Sequence, residues 1–262
     1  MSNTISQQLA SLFDEWRKRL KQNGDGENFT EDGVMFQNGI ENEVTEQHWI
    51  SSTKRVLFLL KEQNESNEAV NRGGCDTRYF LKDTDWTPNA AKVRNLEIPF
   101  YKKIAYMLWG LLKADKDNSW QFDDVAAHHE KVKELFSTHP FATVECKKIS
   151  GGGKCNPKEL KRHIKTYGDL LKEEIEILNP NIIVCTEDFM YNYVCSHIYP
   201  TAKHVVPNDK QYQRIKCVEP TNNKQEGIVI LRTYHPGAYG KYNLRATYES
   251  AMYLYRKFLQ SK

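Results

Sequence analysis

Residues 156–185 read NPKELKRHIKTYGDLLKEEIEILNPNIIVC, a helical pattern followed directly by a short apolar strand. Asn156 is a favoured N-cap residue, Pro157 suits the first helical position, and Glu159 stands where a capping box needs it. The apolar residues that the helical repeat places on one face are Leu160, Ile164, Leu171, Ile175 and Leu178. An Asn-Pro pair ends the helix before the strand Ile182–Cys185, so this stretch predicts one helix-strand unit of an α/β fold.

Outward from this unit, strand and helix patterns alternate along the chain. Three more short apolar segments predict strands, at residues 54–60, 141–148 and 228–232. Helical periodicity covers residues 5–21, 98–113, 122–136 and 242–259. Continuous apolar strands are typical of parallel sheets that are buried on both faces. We therefore expect a three-layer α/β/α fold with a central, mostly parallel, four-stranded sheet.

The pattern is weaker at the N-terminus and in one long internal stretch. We expect residues 1–50 to form a helical and irregular extension that packs on a main α/β domain of residues 51–262. The apolar stripe of its helix would be Leu9, Leu12, Phe13, Trp16 and Leu20. Residues 61–95 are polar and contain Gly73-Gly74, and a loop of that length is usually functional or partly disordered.

The composition excludes several classes of protein. The 262 residues are 39% hydrophobic and 27% charged, which is not the composition of a fibrous, disordered or disulfide-stapled chain. No apolar run approaches the ~18 residues of a membrane span, and the N-terminus lacks the pattern of a secretory signal. We expect a cytoplasmic protein that has no membrane partner.

The net charge of +3 conceals an uneven distribution of charge. Residues 1–50 carry nine acidic and four basic side chains, whereas residues 147–165 carry seven basic side chains and one acidic one. A second basic stretch spans residues 232–257. If the two basic stretches fold together they form a surface suited to a polyanion such as DNA, the alternative being a solvated, lysine-rich helix face.

The six cysteines stand at positions 75, 146, 155, 185, 195 and 217, and no two form a C-x-x-C pair. Their spacing matches no zinc ribbon or finger. Cys146, Cys155 and His163 are a loose potential ligand set, and we favour reduced, mostly buried thiols. The sequence therefore predicts no metal site and no cofactor.

Chemically useful side chains follow three of the predicted strands. Glu62 comes after the first strand, Glu145 stands at the end of the second, and His235 follows the last. The carboxyl ends of parallel strands share one edge of a sheet, and ligands bind there in open α/β folds. A carboxylate can orient water, and a histidine can donate or accept a proton near neutral pH, so we expect a site at this edge.

Three segments resemble the uracil-DNA glycosylase superfamily. They are Val144-Glu-Cys-Lys-Lys with the following turn, helix and strand; Val229-Ile-Leu-Arg-Thr-Tyr-His-Pro-Gly-Ala; and Val56-Leu-Phe-Leu-Leu-Lys-Glu-Gln. The second is similar to the family's final strand and His-Pro-Ser motif. The third stands where the family has Gly-Gln-Asp-Pro. The resemblance runs from about residue 54 to residue 259 and implies a DNA glycosylase without a metal or an obligate protein partner.

The chain departs from the family's motifs at four positions. Leu60 and Gln63 replace the glycine and proline of Gly-Gln-Asp-Pro, and Gly237 replaces the serine of His-Pro-Ser. Glu145 lies closest to the position of the base-reading asparagine. The cysteine pattern of the iron–sulfur branch is absent. These departures predict a target base that is non-standard or modified rather than uracil. An ionised Glu145 would favour a base with an exocyclic amine.

The resemblance implies a role for each candidate residue. Glu62 would stabilise the sugar cation and orient water, and His235 would stabilise the departing base. The base-binding candidates are Glu145, Asn64, Tyr79 and Phe80, of which the two aromatic residues would stack on the base or pack in the core. Tyr239 stands where the family inserts a wedge into DNA. The remaining DNA-binding candidates are Lys148, Lys154, Lys158, Arg162, Lys241 and Arg245.

Two other interpretations remain. The first is a non-catalytic module on the same fold that binds DNA or a modified nucleotide. The second is an unrelated α/β hydrolase, which is disfavoured because no G-x-S-x-G elbow is present. No catalytic lysine is evident at the strand ends except Lys61, so we expect a monofunctional glycosylase without lyase activity.

Overall fold

The computed structural model describes residues 3–64, 74–118, 120–152, 154–210, 213–220 and 227–261. Gly73 and Gly153, which belong to predicted turns, lie outside these residues. The strands within them are β1 (Phe29–Glu31), β2 (Gly33–Val34), β3 (Val56–Leu60), β4 (Gly74–Asp76), β5 (Ala142–Glu145), β6 (Ile182–Cys185), β7 (Lys203–His204), β8 (Ile215–Val218) and β9 (Ile228–Arg232).

The helices are α1 (Ile5–Asn23), α2 (Asn42–Ser51), α3 (Ala90–Arg94), α4 (Pro99–Lys113), α5 (Phe122–Ala127), α6 (His129–Thr138), α7 (Pro157–Thr166), α8 (Gly168–Leu178), α9 (Asp188–Tyr193) and α10 (Leu244–Gln260). A 3₁₀ turn covers Thr77–Tyr79, and a π turn covers Val194–Ile198. None of the helices in the described residues has both the length and the apolar character to cross a membrane.

Two helices that the periodicity predicts as continuous are interrupted. The helix predicted after Pro157 divides into α7 and α8 at Tyr167, whose φ of −119° and ψ of 21° lie outside the helical region. Helix α8 begins at Gly168, where a Cβ would overlap the Tyr193 hydroxyl. The helix predicted over 122–136 likewise divides at His128, with φ −106° and ψ 30°. A repeat of apolar residues does not detect a one-residue break, because both halves keep the same buried face.

The centre of the fold is a mostly parallel sheet flanked by helices. In the described part of the chain it has seven strands in the order β2-β5-β3-β6-β9-β8-β7, rather than the predicted four. The four predicted strands are its parallel centre, β5-β3-β6-β9. Antiparallel strands extend both edges, with β2 beside β5 and with β8 and β7 beyond β9.

Helices cover both faces of this sheet and give the fold three layers. Strand β3 shows the arrangement, since all five of its residues are buried. Leu57 and Leu59 pack in one core with α1, α7 and α8. Val56, Phe58 and Leu60 pack in a second core with α4, α5, α6 and α10. This alternation follows from the two-residue period of a strand.

The N-terminal segment contributes to both the sheet and a core. All five residues of the apolar stripe predicted for α1 are buried, and a capping box at Thr4 and Gln7 begins this helix. The strand β2 pairs with β5, which places Asp32 beside Glu145. The sheet and the core therefore run across the division predicted at residue 50.

Candidate active site

A cavity of about 620 Å³ opens at the carboxyl ends of β3, β5 and β9. Its lining residues are Leu60, Lys61, Glu62, Gln63, Asn64, Ile98, Phe100, Tyr101, Glu145, Gly152, Lys154, Cys155, His235, Gly237 and Tyr239. Six of the residues predicted from the sequence are among them: Glu62, Asn64, Glu145, Lys154, His235 and Tyr239. The volume is within the range of small-molecule sites.

The loops that follow β3 and β5 form one wall of the cavity because they continue the pairing of these strands. The amide of Lys147 donates to the Lys61 carbonyl at 2.9 Å, and the amide of Gly151 donates to the Gln63 carbonyl at 2.9 Å. Gly151 lies directly against Glu62, and a Cβ at this position would overlap the Glu62 carboxylate. The backbone of both loops therefore fixes the position of Glu62.

The Glu62 carboxylate forms an ion pair with Lys147, and its side chain is only 5% exposed. Cys155, also in the cavity wall, lies close enough to Glu62 for the carboxylate to act on its thiol. Burial and the Glu62 charge raise the pKa of the Cys155 thiol to about 11, so the sulfur stays protonated at neutral pH. Lys61 pairs with Glu187. The site thus has an anchored carboxylate surrounded by cations and a thiol.

His235, which also lines the cavity, is a neutral hydrogen-bond donor. Burial, together with smaller effects of the Lys61 and Lys103 charges in the same direction, lowers its pKa to about 3. The Gly237 amide donates to the His235 Nδ1 at 3.0 Å. Because an amide can only donate, the neutral ring carries its proton on Nε2. The backbone of Gly237 thereby fixes the tautomer, and this contact needs no serine side chain.

The buried Lys103 fixes the loop that carries His235 through two hydrogen bonds. The Lys103 ammonium donates to the carbonyls of Ala238 and Tyr242, at 2.5 and 2.8 Å, and the residue is 7% exposed. Its side chain reaches this loop from α4. Tyr239, between the two carbonyls, is 88% exposed at the cavity rim.

Glu145 is buried at 4% exposure and lines the cavity. Burial, Asp32 and Glu62 raise the pKa of Glu145 to about 8, against a smaller opposite effect of Lys148. At neutral pH this side chain is therefore mostly a carboxylic acid. The condition on which the sequence predicted a preference for amine-bearing bases, an ionised Glu145, is disfavoured at neutral pH because the environment combines desolvation with two neighbouring acids.

Lys148 is completely buried, and its predicted contact with DNA phosphates is wrong. Its ammonium is hydrogen-bonded to Asp32 and, at 2.9 Å, to Glu174, and the three side chains are 0% exposed. It also lies 5.1 Å from the centre of the Trp16 ring. The sequence could not reveal this because both partners are distant along the chain.

For Tyr79 and Phe80, which the sequence allows to stack on the base or to pack in the core, the structure shows packing outside the cavity wall. Tyr79 packs between Phe36 and Trp86, with ring centroids 4.9 and 5.4 Å apart, and its hydroxyl accepts a hydrogen bond from Asn42. Phe80 packs against the second core, with α4 and α10. Of the described residues, the aromatic rings in the cavity wall are instead Phe100, Tyr101 and Tyr239.

The predicted DNA-binding cations fall into two groups. Lys154, Lys158 and Lys241 are exposed, and Lys154 is at the cavity rim. The guanidinium of Arg162 binds Asp25 and Glu159, and that of Arg245 binds Asp123 and Glu249. Asp25 belongs to the acidic N-terminal segment, as does the Asp32 that pairs with Lys148. Part of the basic stretch is thus an intramolecular partner of the acidic one.

Sequence reasoning missed four groups that shape the site. Asp32 supports Glu145, Lys147 holds Glu62, and Phe100 and Tyr101 line the wall. One signal for the aromatic pair was available, since both follow Pro99, the first residue of α4. Asp32 offered no such signal, because it lies between two strands of three and two residues.

Neither protein-family models nor curated proteins indicate a function, so the function has to be inferred from the site. No protein-family model matches the sequence, and a search of curated proteins finds no match. Within the described residues, no group of three or more His, Cys, Asp or Glu side chains is arranged to hold a metal ion.

Proposed function

We propose that the protein is a DNA glycosylase that hydrolyses the N-glycosidic bond of a flipped, non-standard or modified base. The observation that carries the proposal is the meeting of Glu62, Glu145 and His235 in one cavity at the strand ends. All three residues lie in the segments that resemble the uracil-DNA glycosylase superfamily.

The charges of the site suit the transition state of this reaction. Breaking the bond leaves positive charge on the sugar and negative charge on the departing base. The Glu62 carboxylate would stabilise the sugar cation and orient the attacking water. The Nε2–H of His235 would donate to the base, and a donor held in a desolvated site is among the strongest catalytic contributions.

The contacts of Lys61 and Lys147 favour simple hydrolysis over a lyase reaction. A lyase needs a neutral amine that attacks the sugar. Lys61 and Lys147 instead form ion pairs with Glu187 and Glu62, so neither side chain is free to attack the sugar. We therefore propose a monofunctional enzyme.

DNA would be held at the rim of the cavity. Lys154 and Lys158 flank the start of α7 and are exposed, so they can reach phosphates. Tyr239 would fill the space that the flipped nucleotide leaves in the stack.

The test is mass spectrometry of free bases released from a panel of modified DNAs, in single-stranded and duplex form. The wild type should release at least one base. Glu62→Gln should reduce release at least ~100-fold and retain DNA affinity, whereas the control Glu159→Gln, on the exposed face of α7, should match the wild type. Release from no substrate, or equal release by wild type and Glu62→Gln, would overturn the proposal.

The second candidate is a non-catalytic module that binds DNA or a modified nucleotide. The observation in its favour is the Glu62–Lys147 ion pair, which occupies the carboxylate that a glycosylase needs for water. This candidate requires that the wild type bind the modified DNA tightly without releasing any base.

A further inference from the structure

Glu145 has a hydrogen-bonding atom without a partner at the wall of the cavity. Its Oε2 is buried, and no group in the described residues hydrogen-bonds to it. Unsatisfied buried polar atoms are uncommon in folded proteins and cost free energy unless a ligand or water pairs with them. Since the residue also lines the cavity, a bound molecule is the natural partner of this oxygen.

The groups that face Glu145 come from each neighbouring element. Asp32, from the turn between β1 and β2, accepts the Glu145 amide at 2.6 Å. Glu62 and Tyr101 face it from the loop after β3 and from α4, and burial together with the charge of Glu145 raises the pKa of the tyrosine. Lys148 is the nearby cation, and Asp32 and Glu174 bind it. Two acids and a neutral phenol thus surround Glu145, and the nearby cation Lys148 is already bound by Asp32 and Glu174.

This environment determines whether Glu145 presents a carboxylic acid or a carboxylate to a ligand. A neutral carboxylic acid presents one donor and one acceptor side by side, whereas a carboxylate presents acceptors alone. Cytosine offers the N3 acceptor beside the N4 donor, and uracil offers the N3 donor beside the O4 acceptor. The acid matches either edge, because its proton can reside on either oxygen. A carboxylate would repel the N3 lone pair of cytosine or the O4 of uracil.

We propose that Glu145 pairs with the Watson–Crick edge of a flipped pyrimidine as a neutral carboxylic acid, so that the pocket accepts both 4-amino and 4-oxo pyrimidines and loses both when Glu145 ionises. This inference rests on the proposed function. On this view the pocket does not prefer bases that bear an amine. It requires instead that the Glu145 carboxyl group be protonated. The pKa of Glu145, about 8, places the loss of binding just above neutral pH.

The test measures affinity for an oligonucleotide that contains 2′-fluoroarabinocytidine, whose glycosidic bond resists cleavage. Cytosine has no proton that titrates between pH ~6.5 and ~9.5, so changes in this range belong to the protein. An oligonucleotide with a tetrahydrofuran abasic analogue in place of the nucleoside corrects for the pH dependence of backbone binding. All measurements use one salt concentration, because phosphate contacts depend on salt.

The wild type should lose the base-dependent part of its affinity about 30-fold between pH ~7 and ~9.5, following the fraction of protonated Glu145. Glu145→Gln keeps a donor and an acceptor and cannot ionise, so its affinity should change less than about threefold. The comparison of the cytidine and abasic ligands on the wild type alone provides the same test if the variant does not fold.

The outcomes separate the two proposals. An identical pH profile for the cytidine and abasic ligands, or for wild type and Glu145→Gln, overturns the role of Glu145 and leaves the glycosylase intact. Failure of the wild type to bind any of these DNAs at either pH overturns the proposed function and this inference with it.

Discussion

Gly151 and Glu62 fit together because the carboxylate of Glu62 fills the space that a side chain at position 151 would need. The Gly151 amide donates to the Gln63 carbonyl, so the glycine cannot move away without breaking the pairing of the two loops. The position of the proposed water-orienting carboxylate therefore depends on the absence of a side chain in a different loop.

Gly151→Ala should displace Glu62 and reduce base release about 10- to 100-fold, because small misplacements of a catalytic group are costly. Single-turnover release assays and thermal melting would measure the effect on activity and on stability. Gly152→Ala is the matched control, since a Cβ there meets no atom within 4 Å. Equal losses in the two variants would argue against a specific contact with Glu62.

His235 should remain neutral throughout the working pH range. Its pKa of about 3 lies below its ordinary value of 6.5, so the unfolded chain binds the proton first as the pH falls. The contribution of His235 to stability is therefore present above pH ~6.5 and is lost between pH ~6.5 and ~3. Between pH ~7 and ~5, His235→Gln should lose about 1–2 kcal/mol less unfolding free energy than the wild type, as urea titrations at both pH values would measure. Identical pH dependence in the two proteins would contradict a buried, neutral histidine.

Lys154 and Arg245 should differ in their effect on DNA binding. Lys154 is exposed at the cavity rim, whereas Asp123 and Glu249 already bind the Arg245 guanidinium. Lys154→Ala should reduce the slope of log affinity against log salt by about 1, and Arg245→Ala should leave it unchanged. Fluorescence anisotropy over a series of salt concentrations provides the slopes. A larger change for Arg245→Ala would move the DNA surface towards α10.

Tyr239 should matter for duplex DNA more than for single strands, because a wedge replaces stacking only within a duplex. Tyr239→Ala should reduce base release from duplex DNA about tenfold and from single-stranded DNA less than about threefold. The side chain is 88% exposed, so the melting temperature should not change. Equal losses on both substrates would assign the residue to base binding within the cavity.

Lys148 should prove to be a residue of the core. Lys148→Met would leave Asp32 and Glu174 buried without their cation and should destabilise the fold by about 3–5 kcal/mol. Lys158→Met, on the exposed face of α7, should change stability by less than about 0.5 kcal/mol. Chemical denaturation measures both. A wild-type stability for Lys148→Met would contradict the buried ion pairs.

The central strands could be predicted from the sequence because their signal is local. Ile182–Cys185 and Ile228–Arg232 coincide with the predicted segments, since continuous apolar runs admit few other structures in a chain of this composition. The edge strands β2 and β7 are two residues long, and only their pairing partners define them. For Tyr79 and Phe80 the sequence left base stacking and core packing both open, because local pattern does not determine the path of a long loop.

The sequence by itself determined which side chains stand at the ends of the parallel strands, and hence that Glu62, Glu145 and His235 meet. Only the tertiary structure decided the protonation states of Glu145 and His235. Asp32, more than a hundred positions before Glu145 and Lys148, contacts both, and it raises the pKa of one while it binds the other. The reason is physical: protonation depends on burial and on charges close in space, whereas strand patterning depends on neighbours in the chain.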